Sequence, residues 1–168
     1  RCFRKAESGP LHNPEFTMLE WYRSNEALEV LMSDIEQLVL HLSKTITAEN
    51  FPVKIPLPPW PRVTVCSLFK KHLNIILDGC ESASQLREKA QLSGHAELLV
   101  DLATEPNLTE SLAYEQIFFR LWNHIEAEFA DSSPLFVYEW PLPLASLARP
   151  CPQRSGFAER VELYVNGM

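Results

Sequence analysis

The sequence has no apolar run approaching the roughly 20 residues needed to cross a bilayer, and no secretory signal opens it. A membrane role is not expected. Its four cysteines, Cys2, Cys66, Cys80 and Cys151, form no C-x-x-C pair. No His/Cys/Asp/Glu set has metal-ligand spacing, so no zinc site and no metal ligand is expected within these residues. Reduced thiols in a cytoplasmic protein are expected instead. Without a secretory setting, the sequon Asn107-Leu108-Thr109 carries no expectation of a glycan. G-x-S-x-G, the P-loop and G-x-G-x-x-G are all missing. Positive charge is also short: 15 Lys and Arg stand against 22 Asp and Glu, a net charge of −7. This disfavours nonspecific nucleic-acid binding by the chain as a whole, because phosphate contacts need clustered cations. A local basic site around Arg1, Arg4 and Lys5 remains open. No internal repeat or low-complexity tract is present.

What remains is an ordinary globular composition, 46% hydrophobic over 168 residues, enough for one domain with a real core. Ser24 or Asn25 is placed to cap a helix whose Ala27, Leu28, Leu31, Ile35, Leu38, Val39 and Leu42 form an apolar stripe, with Glu26, Glu29, Asp34 and Glu36 on the polar side. His41 belongs at its solvent edge. Phe51 to Pro61 holds five prolines in eleven residues. It reads as an extended connector with Trp60 tucked against the body. Thr64 is placed to cap a helix over Val65 to Ile76, with Leu68, Phe69, Leu73 and Ile76 inward and Gly79 at the exit. Ser82 or Ser84 starts another, through Leu86 and Ala90 to Leu92, ended by Gly94. A third runs from about Leu108 to Phe129, capped by Asn107 or Thr109, with Leu112, Ile117, Phe118, Leu121, Trp122, Ile125 and Phe129 as a wide apolar face. Phe136, Val137, Tyr138 and Trp140 are β-formers, Pro150 to Gly156 is a loop, and Arg160 to Val165 alternates, with Val161, Leu163 and Val165 against Glu162 and Tyr164. The expectation is an α+β fold, strands at both ends gathered in one antiparallel sheet, with helices between.

The stretch Arg1 to Arg23 is where chemistry concentrates. Arg1 to Lys5 is a short basic run, and Ser8, Gly9 and Pro10 mark a turn. Read as a strand, Pro14 to Tyr22 puts Phe16, Met18, Glu20 and Tyr22 on one face and Glu15, Thr17, Leu19 and Trp21 on the other. A hairpin with a long loop follows, with His12 and Asn13 near its base. The first face suits a pocket wall: a flat ring, a carboxylate and a phenol.

Phe3-Arg4, a loop, then His12-Asn13-Pro14-Glu15-Phe16-Thr17-Met18-Leu19-Glu20-Trp21-Tyr22-Arg23 resembles motif 2 of the class II aminoacyl-tRNA synthetases, in the form used by lysyl-tRNA synthetases and their short paralogues. The Leu19-to-Arg23 ending is more similar to the elongation factor P lysine aminoacylase type. Phe136 to Pro141 with Ala145 to Ala148, and Ala158 to Gly167, are further matches. The resemblance implies a single, partial catalytic domain over residues 1–168, an incomplete antiparallel sheet flanked by helices. It implies a fragment opening in motif 2 and ending before motif 3, with motif 1 before Arg1. It also implies ATP and Mg2+ as cofactors, with the magnesium ligands outside this chain, and a homodimer by family precedent.

The same resemblance assigns roles. Arg4 would meet the α-phosphate as the catalytic cation, Phe16 would stack on adenine, and His12 and Asn13 would contact the nucleotide near its phosphates and ribose. Glu20 would take the substrate α-ammonium and Tyr22 the distal part of a lysine-like side chain. In the tRNA enzyme a glutamate follows the motif arginine by two places. Here that position is Ala6 and the glutamate stands at Glu7, the candidate for adenine. The implied activity is ATP-dependent formation of a lysyl or β-lysyl adenylate and transfer to a lysine of elongation factor P. Transfer to tRNA, or a non-catalytic adenylate-binding module, are the alternatives.

Overall fold

A computed structural model of the chain describes residues 1–4, 13–46, 55–102, 108–129 and 133–165. The chain divides into two compact units, residues 1–31 and residue 32 onward. The first holds an antiparallel pair, β1 (Cys2–Phe3) and β2 (Glu15–Phe16). Helix α1 (Leu28–Thr45) begins in this unit and continues in the next. Ser24 and Asn25 form a turn ahead of it, Asn25 at φ 58°. That left-handed residue cannot be the N-cap expected there, since a cap residue is extended. The expected apolar stripe of α1 also needs correction: its buried residues are Met32 and Glu36, while Leu42 is exposed.

The second unit is built on a three-stranded sheet, β3 (Arg62–Thr64), β4 (Leu135–Pro141) and β5 (Phe157–Tyr164), in the order β3-β4-β5. Between β3 and β4 run α2 (Val65–Leu73), α3 (Ala83–Leu92) and α4 (Glu110–Glu126). The β4–β5 pair is antiparallel, but β3 and β4 are parallel. The expectation of one antiparallel sheet is therefore wrong on two counts, since the N-terminal pair is a separate sheet. The cause is the connection. The long connection through three helices can return the chain to its starting end, which a parallel pair requires and a hairpin cannot do.

Local signals explain the helices. Thr64 accepts the Ser67 amide at 3.1 Å as the N-cap of α2. Ser82 and Gln85 form a capping box at α3. Thr109 accepts the Leu112 amide at 3.3 Å at α4. The exit of α2 differs from expectation. Asn74, at φ 54°, ends the helix directly after Leu73. The chain then runs extended, so Ile75 and Leu77 are buried and Ile76 is 67% exposed.

The core lies between one sheet face and the helices. Phe69, Phe118, Trp122, Trp140, Phe129 and Tyr164 form a connected aromatic cluster, with Phe69 and Phe118 centroids 5.0 Å apart and Trp122 and Trp140 also 5.0 Å apart. Of the expected α4 face, only Leu112 is exposed. A bulge between Tyr138 and Trp140 in β4 holds Glu139 at φ 57°. This resets the alternation, so Trp140 joins Val137 in the core. Over residues 160–165 the expected apolar face is not the buried one, since Val161, Leu163 and Val165 are only half-buried. Tyr164 is the buried residue, accepting the Trp122 indole N–H at 3.2 Å and donating to Glu162 at 3.1 Å. The aromatic payload of Tyr164 against α4 outweighs the smaller valines. On the opposite sheet face Phe136 meets Trp60, at 5.9 Å between centroids.

Candidate functional site

The site singled out in the sequence lies in the first unit. Cys2 pairs with Phe16 and Phe3 with Glu15, and the Arg4 amide donates to the Pro14 carbonyl at 3.0 Å. The hairpin is therefore formed, in the register that sets Arg4 beside the β2 end. The Arg4 guanidinium carbon lies 5.3 Å from the centroid of the Phe16 ring, within cation–π range. Arg4 is exposed and Phe16 half-buried. Arg1 pairs with Glu15 at 3.0 Å on the surface, with both side chains well exposed, which contributes little to stability. A planar cation over an accessible ring face is chemically a place for one flat group and one anionic group.

Asn13 is exposed and precedes Pro14, at the end of the hairpin where Arg4 is bonded. His12 and Glu7 lie outside the described residues. Glu20 and Tyr22 are not aligned with Phe16 by a strand. Regular pairing stops at Phe16, residues 17–23 have no regular structure, and Tyr22 is 88% exposed. The two-face reading from Pro14 to Tyr22 is corrected accordingly. With no third strand paired to β2 among the described residues, little burial extends the pleat. Among the described residues no group of three or more His, Cys, Asp or Glu is placed to hold a metal ion.

The second unit carries a crevice that the sequence did not announce. Thr64, Cys66, Ser67, Lys70, Ile76, Leu77 and Arg154 line a space of about 320 Å³. Ser67 and Lys70, one helical turn apart, were the available signal. Arg154 is 84 residues beyond Lys70, so no local pattern could have joined them.

With the geometry in place, comparison with known proteins is decisive for family. The profile described as tRNA synthetases class II (D, K and N) matches residues 1–168. The chain belongs to the class II tRNA synthetase family. Within it, this class II chain is 34% identical over 168 residues to an elongation factor P (R)-beta-lysine ligase of Erwinia tasmaniensis. It is also 34% identical to one of Pectobacterium atrosepticum and 32% identical, over 170 residues, to one of Vibrio atlanticus. Each alignment covers the whole chain and 45%, 45% and 46% of the relative. The class II chain thus spans about half the length of the curated relatives it matches. No helix among the described residues is long and apolar enough to cross a membrane.

Proposed function

We propose that this chain supplies the nucleotide-binding hairpin of a ligase that activates lysine or β-lysine with ATP and transfers it to a lysine side chain of elongation factor P. The carrying observation is the end-to-end match to relatives named elongation factor P (R)-beta-lysine ligase, joined to a hairpin in which Arg4 and Phe16 stand together.

In the first step a carboxylate oxygen of the amino acid bonds to the α-phosphorus of ATP. The bond from that phosphorus to the bridging oxygen breaks, and pyrophosphate leaves with the electron pair. In the second step a lysine amine bonds to the acyl carbon, AMP leaves, and the nitrogen loses a proton. The activation step needs alignment and charge neutralisation more than a base. Arg4 supplies a permanent, planar cation for the α-phosphate oxygens. Phe16 supplies a ring face for adenine, and on binding Arg4 swings from that face to the phosphate. Asn13 and His12 contact the ribose and phosphates, and Glu7 the base. Glu20 accepts the α-ammonium and Tyr22 borders the side chain. An ammonium withdrawn from water requires such a carboxylate. Mg2+, when bound, would supply charge neutralisation for the leaving pyrophosphate. No cluster of carboxylates suited to it stands among the described residues, so the charge compensation argued for this chain rests on Arg4.

Calorimetric titration with a non-hydrolysable lysyl-adenylate analogue tests the reading. Saturable binding is expected, weakened roughly tenfold or more by Arg4→Ala and by Phe16→Ala, the scale of a charge-assisted contact or a base stack. Glu20→Ala should abolish the preference for the lysyl over the unacylated nucleotide. Unchanged affinity in both Arg4→Ala and Phe16→Ala, with an unchanged circular dichroism spectrum, would sink the assignment.

A further inference from the structure

The crevice at the start of α2 is unlike the rest of this acidic chain. Its lining contains two cations, Lys70 and Arg154, two hydroxyls, Thr64 and Ser67, and no carboxylate, against a net charge of −7 overall. At about 320 Å³ it falls within the size range of small-molecule sites. Lys70 donates to the amide oxygen of Asn74 at 2.6 Å. That partner is neutral, and among the described residues no carboxylate forms an ion pair with the ammonium. Arg154 is paired with Glu139 and lies over the Phe157 ring at 4.1 Å, which fixes its position. Among the described residues one carboxylate, that of Glu139, pairs with the two cations of the lining, and it does so through Arg154. Cys66 adds no negative charge, because burial pushes its thiol above the usual range even with Arg154 nearby. Thr64 and Ser67 hydroxyls contact each other at 2.5 Å and are rotatable donors.

The remaining wall is apolar. Leu77 is buried, while Ile76 is 67% exposed, although it sits in the segment that packs Ile75 and Leu77 inward. An exposed branched side chain beside two cations and two hydroxyls is a wall that a ligand's apolar part would cover. We propose that this crevice is a binding site for a small organic phosphate, with the phosphate on Lys70, Arg154, Thr64 and Ser67 and the apolar moiety on Ile76 and Leu77. Phosphate suits this set better than carboxylate, since its three terminal oxygens can meet a guanidinium, an ammonium and hydroxyls together. The inference does not rest on the proposed ligase activity, and its residues are not those of the hairpin.

The test is a titration of the isotopically labelled chain followed by amide NMR shifts, with phenyl phosphate as probe. Saturable shifts are expected at Thr64, Cys66, Ser67 and Leu77. Inorganic phosphate should bind more weakly, and benzyl alcohol should give no shifts at these amides. Lys70→Gln, a surface change that leaves the fold intact, should weaken phenyl phosphate roughly tenfold, the scale of one charge-assisted hydrogen bond. Ile76→Ser should remove the advantage of phenyl over inorganic phosphate. Arg4→Ala should leave all these shifts in place, which separates the crevice from the hairpin. Non-saturating shifts, shifts spread over the surface, equal binding of the two phosphates, or indifference to Lys70→Gln would each overturn the proposal.

Discussion

Glu36 shows how one residue can defeat a pattern. Its place on the polar side of a helical wheel is sound by spacing alone. In the fold it is 5% exposed, and its carboxylate accepts the Trp60 backbone N–H at 2.9 Å. Arg62 stands 3.9 Å away and is about one-third exposed, so screening makes it the lesser partner. The buried amide of Trp60 follows Pro58 and Pro59, which have no N–H to offer, and is held by a side chain because no strand or helix ladder reaches it. Glu36→Leu would leave that donor buried without an acceptor. It should lower stability by about 1–3 kcal/mol, read as a reduced urea midpoint with an unchanged slope. No loss would mean that water replaces the carboxylate. The burial of Trp60 itself was legible, since an indole among prolines has little other place to go. Its acceptor was not, because it lies 24 residues upstream.

At the scale of elements, the caps of α2, α3 and α4 were the most legible feature. Thr64, Ser82 and Thr109 each sit at the predicted start, because a cap is a contact over three residues and needs no tertiary partner. Gly79 was legible as special but for another reason than the one inferred. Asn74 ends α2. Gly79 and Gly156, at φ 84° and 85°, face each other across two loops. A Cβ on Gly156 would fall 2.3 Å from the Asp78 carbonyl oxygen, and one on Gly79 would fall 2.1 Å from that of Gly156. Both backbone conformation and space forbid a side chain. Gly156→Ala is therefore expected among the exceptional losses, above about 4 kcal/mol, with little folded protein recovered. Gly94→Ala, at φ 84° but with nothing within 4 Å, should cost only about 1 kcal/mol. Similar urea midpoints for the two variants would refute the close-approach argument.

For the whole molecule, one charge cluster ties the loop after α2 to α3 and sets a pH window. Glu81, 4% exposed, accepts the amides of Asp78 at 2.6 Å and Gly79 at 2.9 Å, and takes Lys89 at 2.7 Å. Lys89 also reaches Asp78 at 3.1 Å. Burial by itself would lower the Lys89 ammonium, but hydrogen bonds to Glu81 and Asp78 outweigh it and hold the group above its usual 10.5. The Cys80 amide, foremost, and Lys89 hold Asp78 below its usual 3.8. A raised lysine contributes stability below its unfolded value and loses it as pH climbs through the folded one. A depressed aspartate contributes above its unfolded value and loses it as pH falls through the folded one. The stability difference between the parent chain and Lys89→Met should thus be flat from about pH 5 to 9. It should shrink beyond either end. A difference that varies across that plateau would show that another group carries the dependence.

The sequence by itself determined the local and the compositional. It placed the starts of α2, α3 and α4, the aromatic core of α4, the hairpin of Arg4 and Phe16, and the family through a dense motif. Each of these depends on residues close in the chain or on overall content. Only the tertiary structure decided the parallel β3–β4 pairing, the bulge that turns Trp140 inward, the burial of Tyr164 and Glu36, and the meeting of Lys70 with Arg154. These depend on partners tens of residues apart. Which of two locally equivalent faces is buried is settled by where the larger aromatic surface and the unpaired backbone donors of distant segments find each other.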